Sequence, residues 1–311
     1  MNTTSSFPSA SSSPSGPGTR ALVLGGGGAT GNAWLIGMIA GLFESGLDVT
    51  TPDLTVGTSA GATVAAQLAG ATPPELLAAI LSAPQQHQPV AAGSASARST
   101  LRPVHDHLER FRGIIASSAD GADMRRRMGA MALAADAASD GSRRERWRAT
   151  VASRFPGHDW PPRTVLITAV DAETGDGVVF DGSNGVSLID AVAASTSGGG
   201  SAYAIDGRAY IDGGYRRSSE NADLAAGHDT VLVLSPLGGR SLYPPEWNMH
   251  LAAQVHELRA GGSRVETVFP EGDAEHLLGV NAMDPSLRPA AARAGYDQGR
   301  AGAERIAEFW R

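Results

Sequence analysis

Ser59 stands in Gly57-Thr58-Ser59-Ala60-Gly61, a G-x-S-x-G pattern that follows an apolar run (residues 54–56) and precedes an apolar helical pattern (63–68). Such a strand–turn–helix strains the backbone of the central residue, so small neighbours are required two residues away on both sides. The serine hydroxyl then points out from the carboxyl end of the strand, over a helix N-terminus that favours developing negative charge. The alternative is a glycine-rich turn with a bystander serine, which the strand before and the helix after disfavour.

A second signal is Gly25-Gly26-Gly27-Gly28-Ala29-Thr30-Gly31, also between an apolar strand and a helix. Its consecutive N–H groups, uncovered by side chains, suit an anionic oxygen. Gly26-x-Gly28-x-x-Gly31 fits the dinucleotide fingerprint, but that site wants an acidic residue at the end of the second strand, and Asp48 and Asp53 precede it. The other reading is an oxyanion hole in which the N–H groups of Gly26, Gly27 and Gly28, with that of Ala60, hold the oxyanion formed when Ser59 attacks a carbonyl.

A neutral serine needs a base. None of the eight histidines (His87, His105, His107, His158, His228, His250, His256 and His276) stands in a setting that marks it as one. A Ser–acid–His order would leave His228, His250, His256 or His276 as late candidates. The sharper candidate is Asp212 in Tyr210-Ile211-Asp212-Gly213-Gly214, a carboxylate ending a short apolar strand, although an ordinary turn acid has the same pattern.

These residues need a sheet edge to converge on. Apolar runs predict strands at 21–24, 54–56, 164–170, 178–180, 209–211 and 230–234, with helices over 32–45, stopped by Gly46, and 63–68. Strands interleaved with helices argue an α/β layered domain. Residues 84–162 are Ala-, Arg- and Ser-rich and predict helices that cover the sheet. Arg126, Arg127, Arg143, Arg144 and Arg146 there read as a solvated face rather than an anion-binding one.

Composition narrows the classes further. Zero cysteines exclude disulfides, thiolate metal sites and a cysteine nucleophile, and leave the compartment leaning cytoplasmic. A net charge of −7 without a basic block sets nucleic acid aside. Residues 1–19, made of small and polar residues with Pro and no charge, read as a disordered tail with no secretory signal. No apolar window is long enough to span a membrane, so any membrane contact would be peripheral. No His/Asp/Glu spacing implies a metal, and no cofactor is expected.

Taken together and in order, the glycine-rich loop, G-T-S-A-G and D-G-G make the chain resemble the patatin-like phospholipase family, over roughly residues 20–237. The resemblance implies a three-layer α/β/α fold with a mostly parallel sheet. Residues 20–311 would form the hydrolase domain, with a helical insertion at 84–162 and a C-terminal helical extension at 238–311. It implies a serine acyl hydrolase that cleaves lipid esters as a phospholipase A or lysophospholipase does. Ser59 would be the nucleophile and Asp212 the base; Gly26, Gly27, Gly28 and Ala60 would form the hole, and Gly31, Gly57, Gly61, Gly213 and Gly214 would be motif glycines. A catalytically silent lipid- or partner-binding module of the same fold, which Thr30 in place of a common arginine leaves open, and a nucleotide-binding α/β protein are the alternatives. An Asp at its usual pKa of about 3.9 is a weak base for an alcohol, so burial is expected to raise it.

Overall fold

The computed structural model describes residues 18–83, 108–138, 142–198 and 200–311. From the amino end come β1 (Arg20–Leu24), α1 (Gly28–Glu44), β2 (Leu54–Gly57), α2 (Ala60–Gly70) and α3 (Pro73–Ser82). Then follow α4 (108–117), α5 (Gly121–Ala137), α6 (Ser142–Ala152), β3 (Thr164–Asp171), β4 (Gly177–Phe180) and α7 (Leu188–Ser195). Last are β5 (Tyr203–Ile205), β6 (Arg208–Asp212), β7 (Thr230–Leu234), α8 (Leu251–Ala260), β8 (Arg264–Val268) and α9 (Arg288–Trp310).

The eight strands make one sheet. β8, β7, β1, β2 and β3 are parallel neighbours in that order, while β4, β5 and β6 pair antiparallel at the β3 end. Parallel strands covered on both faces need apolar side chains in both directions, and β1 and β7 have them. Leu22, Leu24, Leu232 and Leu234 face a core shared with α1, α2, α7 and α9, whereas Ala21, Val23, Val231 and Val233 face α8 and the turn at 222–225. The fold is therefore the expected three-layer α/β class.

The segment expected to be a helical extension differs from that expectation. Residues 238–311 contribute β8, which pairs along its length with β7, and α9, which packs along α1. The α1–α9 crossing is unusually close because each helix carries glycines four apart, Gly37 and Gly41 facing Gly295 and Gly299. A Cβ at Gly37 or Gly41 would overlap the carbonyl oxygen of Ala292 or Tyr296, and one at Gly295 or Gly299 would overlap that of Trp34 or Met38.

The described part of 84–162 is helical, with Met124 and Met128 of α5 packed on Val170 and Ile211. Its arginines are mostly engaged: Arg126 and Arg127 pair with Asp123, Arg143 pairs with Asp136, and Arg144 donates to the Ala204 carbonyl. Residues 1–17 of the expected tail lie outside the described residues, but Thr19 donates its N–H to Asp229 at 2.7 Å. No single helix among the described residues is long and apolar enough to cross a membrane.

Candidate active site

The sheet register brings Ser59 and Asp212 together. Ile167 of β3 pairs with Gly57 of β2 on one edge and Phe180 of β4 on the other. Ala169 and Val170 pair with β4 again and with Asp212 and Ile211 of β6. Each residue has only two edges, so β6 must occupy the edge that β2 vacates beyond Gly57. β2 and β6 thus approach end to end along β3, with Ser59 in the turn after β2 and Asp212 as the last residue of β6.

Ser59 Oγ donates to Asp212 Oδ2 at 2.8 Å. The serine has φ 52° and ψ −112°, a positive-φ conformation that a residue with a Cβ adopts only under constraint. Sterics on both sides supply the constraint. A Cβ at Gly57 would lie 2.8 Å from Ala62 Cα, and one at Gly61 would overlap the Leu24 carbonyl, so helix α2 could not approach β1 with larger residues. Ser59 N–H donates to Ser195 Oγ at 2.9 Å, which ties the turn to the end of α7.

Burial and the charge of Asp212 hold the hydroxyls of Tyr215 and Tyr243 above their usual range; Tyr243 donates to the Gly214 carbonyl at 3.4 Å and stacks on Trp247. Burial pushes the Asp212 carboxyl up to about 6, against smaller opposing effects of the Gly214 N–H and the Ser59 hydroxyl, both of which donate to it. At neutral pH the group is ionised yet far more basic than a solvated carboxylate. Gly213 is forced by packing, because a Cβ there would overlap Thr168.

The glycine-rich turn crosses directly beside Ser59, close enough that a Cβ on Gly26 would sit 3.4 Å from that of the serine. Gly28 takes φ 62° as helix α1 begins. The N–H groups of Gly27, Gly28 and Ala60 have no hydrogen-bond partner among the described residues. Gly26, expected among the donors, differs: its N–H is bound to the Ser219 carbonyl at 2.7 Å and is not free for a ligand. Thr30 is fully buried, its N–H on the Ala282 carbonyl and its hydroxyl without a partner among the described residues.

Several residues that hold this arrangement escaped the sequence patterns. Asn221 is fully buried at φ 52° and donates from Nδ2 to the Gly213 carbonyl at 2.9 Å and to Thr58 Oγ1 at 3.1 Å. Thr168 Oγ1 donates to Thr58 Oγ1 at 2.9 Å, so one polar knot joins the ends of β2, β3 and β6. Glu220, also buried, accepts 2.7 Å bonds from Ser218, Ser219 and Ser235 and so fixes the segment whose carbonyl holds Gly26. The bonds that join Asn221 and Thr168 to Thr58 span 163 and 110 residues, which no local pattern reports.

Among the described residues no histidine hydrogen-bonds Ser59 or Asp212. His87, His105 and His107 lie outside the described residues. The acid that a nucleotide site would need is misplaced, since Asp53 accepts the Arg20 N–H at the amino end of β1, opposite the glycine turn.

The model of the patatin-like phospholipase family matches residues 22–226, and the chain belongs to that family of lipid acyl hydrolases. Among solved structures it is similar to VipD from Legionella pneumophila, at 13% identity and a TM-score of 0.41, covering 93% of this chain and 67% of that one. It is also similar to the type III effector protein ExoU, at 15% identity and a TM-score of 0.39, covering 93% of this chain and 53% of that one. The chain thus spans about half the length of ExoU. No curated protein matches it.

Proposed function

We propose that this protein is a serine acyl hydrolase of lipid carboxylic esters that works through a Ser59–Asp212 dyad. The observation that carries the proposal is the 2.8 Å bond from a strained Ser59 to a desolvated Asp212. Asp212 takes the Ser59 proton as Oγ attacks the ester carbonyl, and the N–H groups of Gly27, Gly28 and Ala60 receive the oxyanion. The C–O bond to the alcohol then breaks, and the alcohol leaves with the proton held by Asp212. Water, deprotonated by Asp212, next attacks the acyl-serine and releases the carboxylic acid and a restored Ser59. Helices α4 and α5 supply cover on the Asp212 side, where Ile115, Met124 and Met128 join Ile211 in one apolar cluster. A lipid substrate brings peripheral membrane contact with it, and a cysteine-free chain suits a cytoplasmic site of action.

A fluorophosphonate probe tests the nucleophile without assuming a substrate. Intact-mass spectrometry is expected to show one adduct on the parent protein and none on Ser59→Ala. An adduct that persists on folded Ser59→Ala overturns the assignment.

The buried carboxyl also fixes a pH profile. The base acts as carboxylate, so kcat/KM on a neutral short-chain ester is expected to rise about tenfold per pH unit below pH 6 and level off above it. A midpoint near the ordinary carboxylate value of about 4 would remove Asp212 from the role of a desolvated base.

A further inference from the structure

The chain beyond β8 returns to the glycine-rich turn and the start of α1. Thr30 N–H donates to the Ala282 carbonyl at 3.1 Å, and Arg288 Nη1 donates to the Ala29 carbonyl and to Asn32 Oδ1, both at 3.0 Å. Between these ties Met283 lies over Gly28: a Cβ on Gly28 would come within 2.8 Å of Met283 Sδ and 2.5 Å of the Ala282 oxygen. The backbone on either side of Met283 is held as well, with Ala282 N–H on the Gly279 carbonyl at 3.0 Å and Asp284 N–H on that of Asn281 at 2.9 Å.

Met283 is 62% exposed, more than any other large apolar side chain described, and it joins none of the three apolar clusters among the described residues. A single exposed apolar residue is ordinary on a protein surface. This one is set apart by what it covers, because Gly28 carries an N–H with no hydrogen-bond partner among the described residues and is one of the proposed oxyanion donors. A thioether on an anchored backbone offers a flexible apolar surface and no hydrogen-bond donor. What it can draw out of water is a hydrocarbon part of the same molecule whose oxygen the turn receives.

We infer that Met283 is a specificity-determining residue of the hydrolase, forming a wall against which the acyl chain of the ester packs. The inference rests on the proposed dyad and deepens it. In the tetrahedral intermediate the leaving alcohol oxygen faces Asp212, from which it takes its proton, and the oxyanion faces the N–H groups of Gly27, Gly28 and Ala60. The acyl chain takes the direction left over. Met283 borders that direction, since the turn passes Ser59 at Gly26 and Met283 at Gly28, two residues farther from the serine.

NMR of the full chain carrying Ser59→Ala and isotope-labelled methionine methyl groups tests the contact without turnover, so its failure is separate from failure of the dyad. Methyl hexanoate is expected to shift the methyl signal that adding Met283→Leu removes, and methyl acetate to leave that signal in place. A Met283 signal unmoved by millimolar methyl hexanoate overturns the wall. In the active protein, Met283→Ala is expected to lower the ratio of kcat/KM for methyl hexanoate to that for methyl acetate by about 5-fold, and Met283→Leu to restore it. An unchanged ratio overturns the inference. A loss that falls instead on hexyl acetate, whose long chain is on the alcohol, overturns the assignment to the acyl side.

Discussion

Asp212→Asn is expected to lower kcat/KM for ester hydrolysis by about 10³–10⁴ while making the folded protein more stable at pH 8. The loss follows from the proposed role, since an amide cannot take the Ser59 proton and no histidine among the described residues hydrogen-bonds Ser59. The gain follows from linkage. The folded-state pKa of about 6 lies above the ordinary 3.8, so the folded chain holds this proton more tightly than the unfolded one. The stabilising contribution is complete below about pH 4 and is lost as pH rises through 6. Asparagine keeps an acceptor for the Gly214 N–H but never ionises, so it should gain on the order of 1–2 kcal/mol at pH 8 and nothing at pH 4. Urea unfolding of both proteins at the two pH values measures this. A variant destabilised equally at both would mean that Asp212 is structural rather than a desolvated base.

Gly37→Ala is expected to destabilise the protein by about 3 kcal/mol or more, against the helix propensity that would favour alanine by about 1 kcal/mol. The sign is decided by space. The added methyl would collide with the Ala292 main-chain carbonyl, and backbone cannot swing aside as a flexible side chain does. Gly113 in α4 is the control, because a Cβ there meets nothing within 4 Å and Gly113→Ala should be neutral or stabilising. A denaturation midpoint for Gly37→Ala at or above that of the parent would show that α1 and α9 are not in backbone contact.

What could be read in the sequence follows a physical division. β7 is a continuous apolar run, TVLVL, because it is covered on both faces, and the strand predicted at 230–234 coincides with it. β8, RVETV, went unread because it lies at the sheet edge and carries charged residues. β5 is only three residues long, paired to β6 through a tight turn at Asp206 and Gly207, both at positive φ. Ser59 and Asp212 stood out because the turns that hold them demand glycines at fixed local spacing. Ser195 reaches Ser59 across 136 residues and Asn221 reaches Thr58 across 163, separations that no local pattern reports. Gly26 looked like its neighbours in sequence, and only the fold of the 218–220 segment shows its N–H to be occupied.

The glycine interlock of α1 and α9 also bears on when the fold is completed during synthesis. α1 leaves the ribosome well before its partner helix, which is the last of the described elements. At ordinary elongation rates of about 5–20 residues per second, the groove on α1 stays unfilled for ten seconds or more. The nascent chain therefore holds an open apolar groove directly below the glycine-rich turn. It is in that interval, before α9 packs along α1, that chaperones or aggregation can capture it.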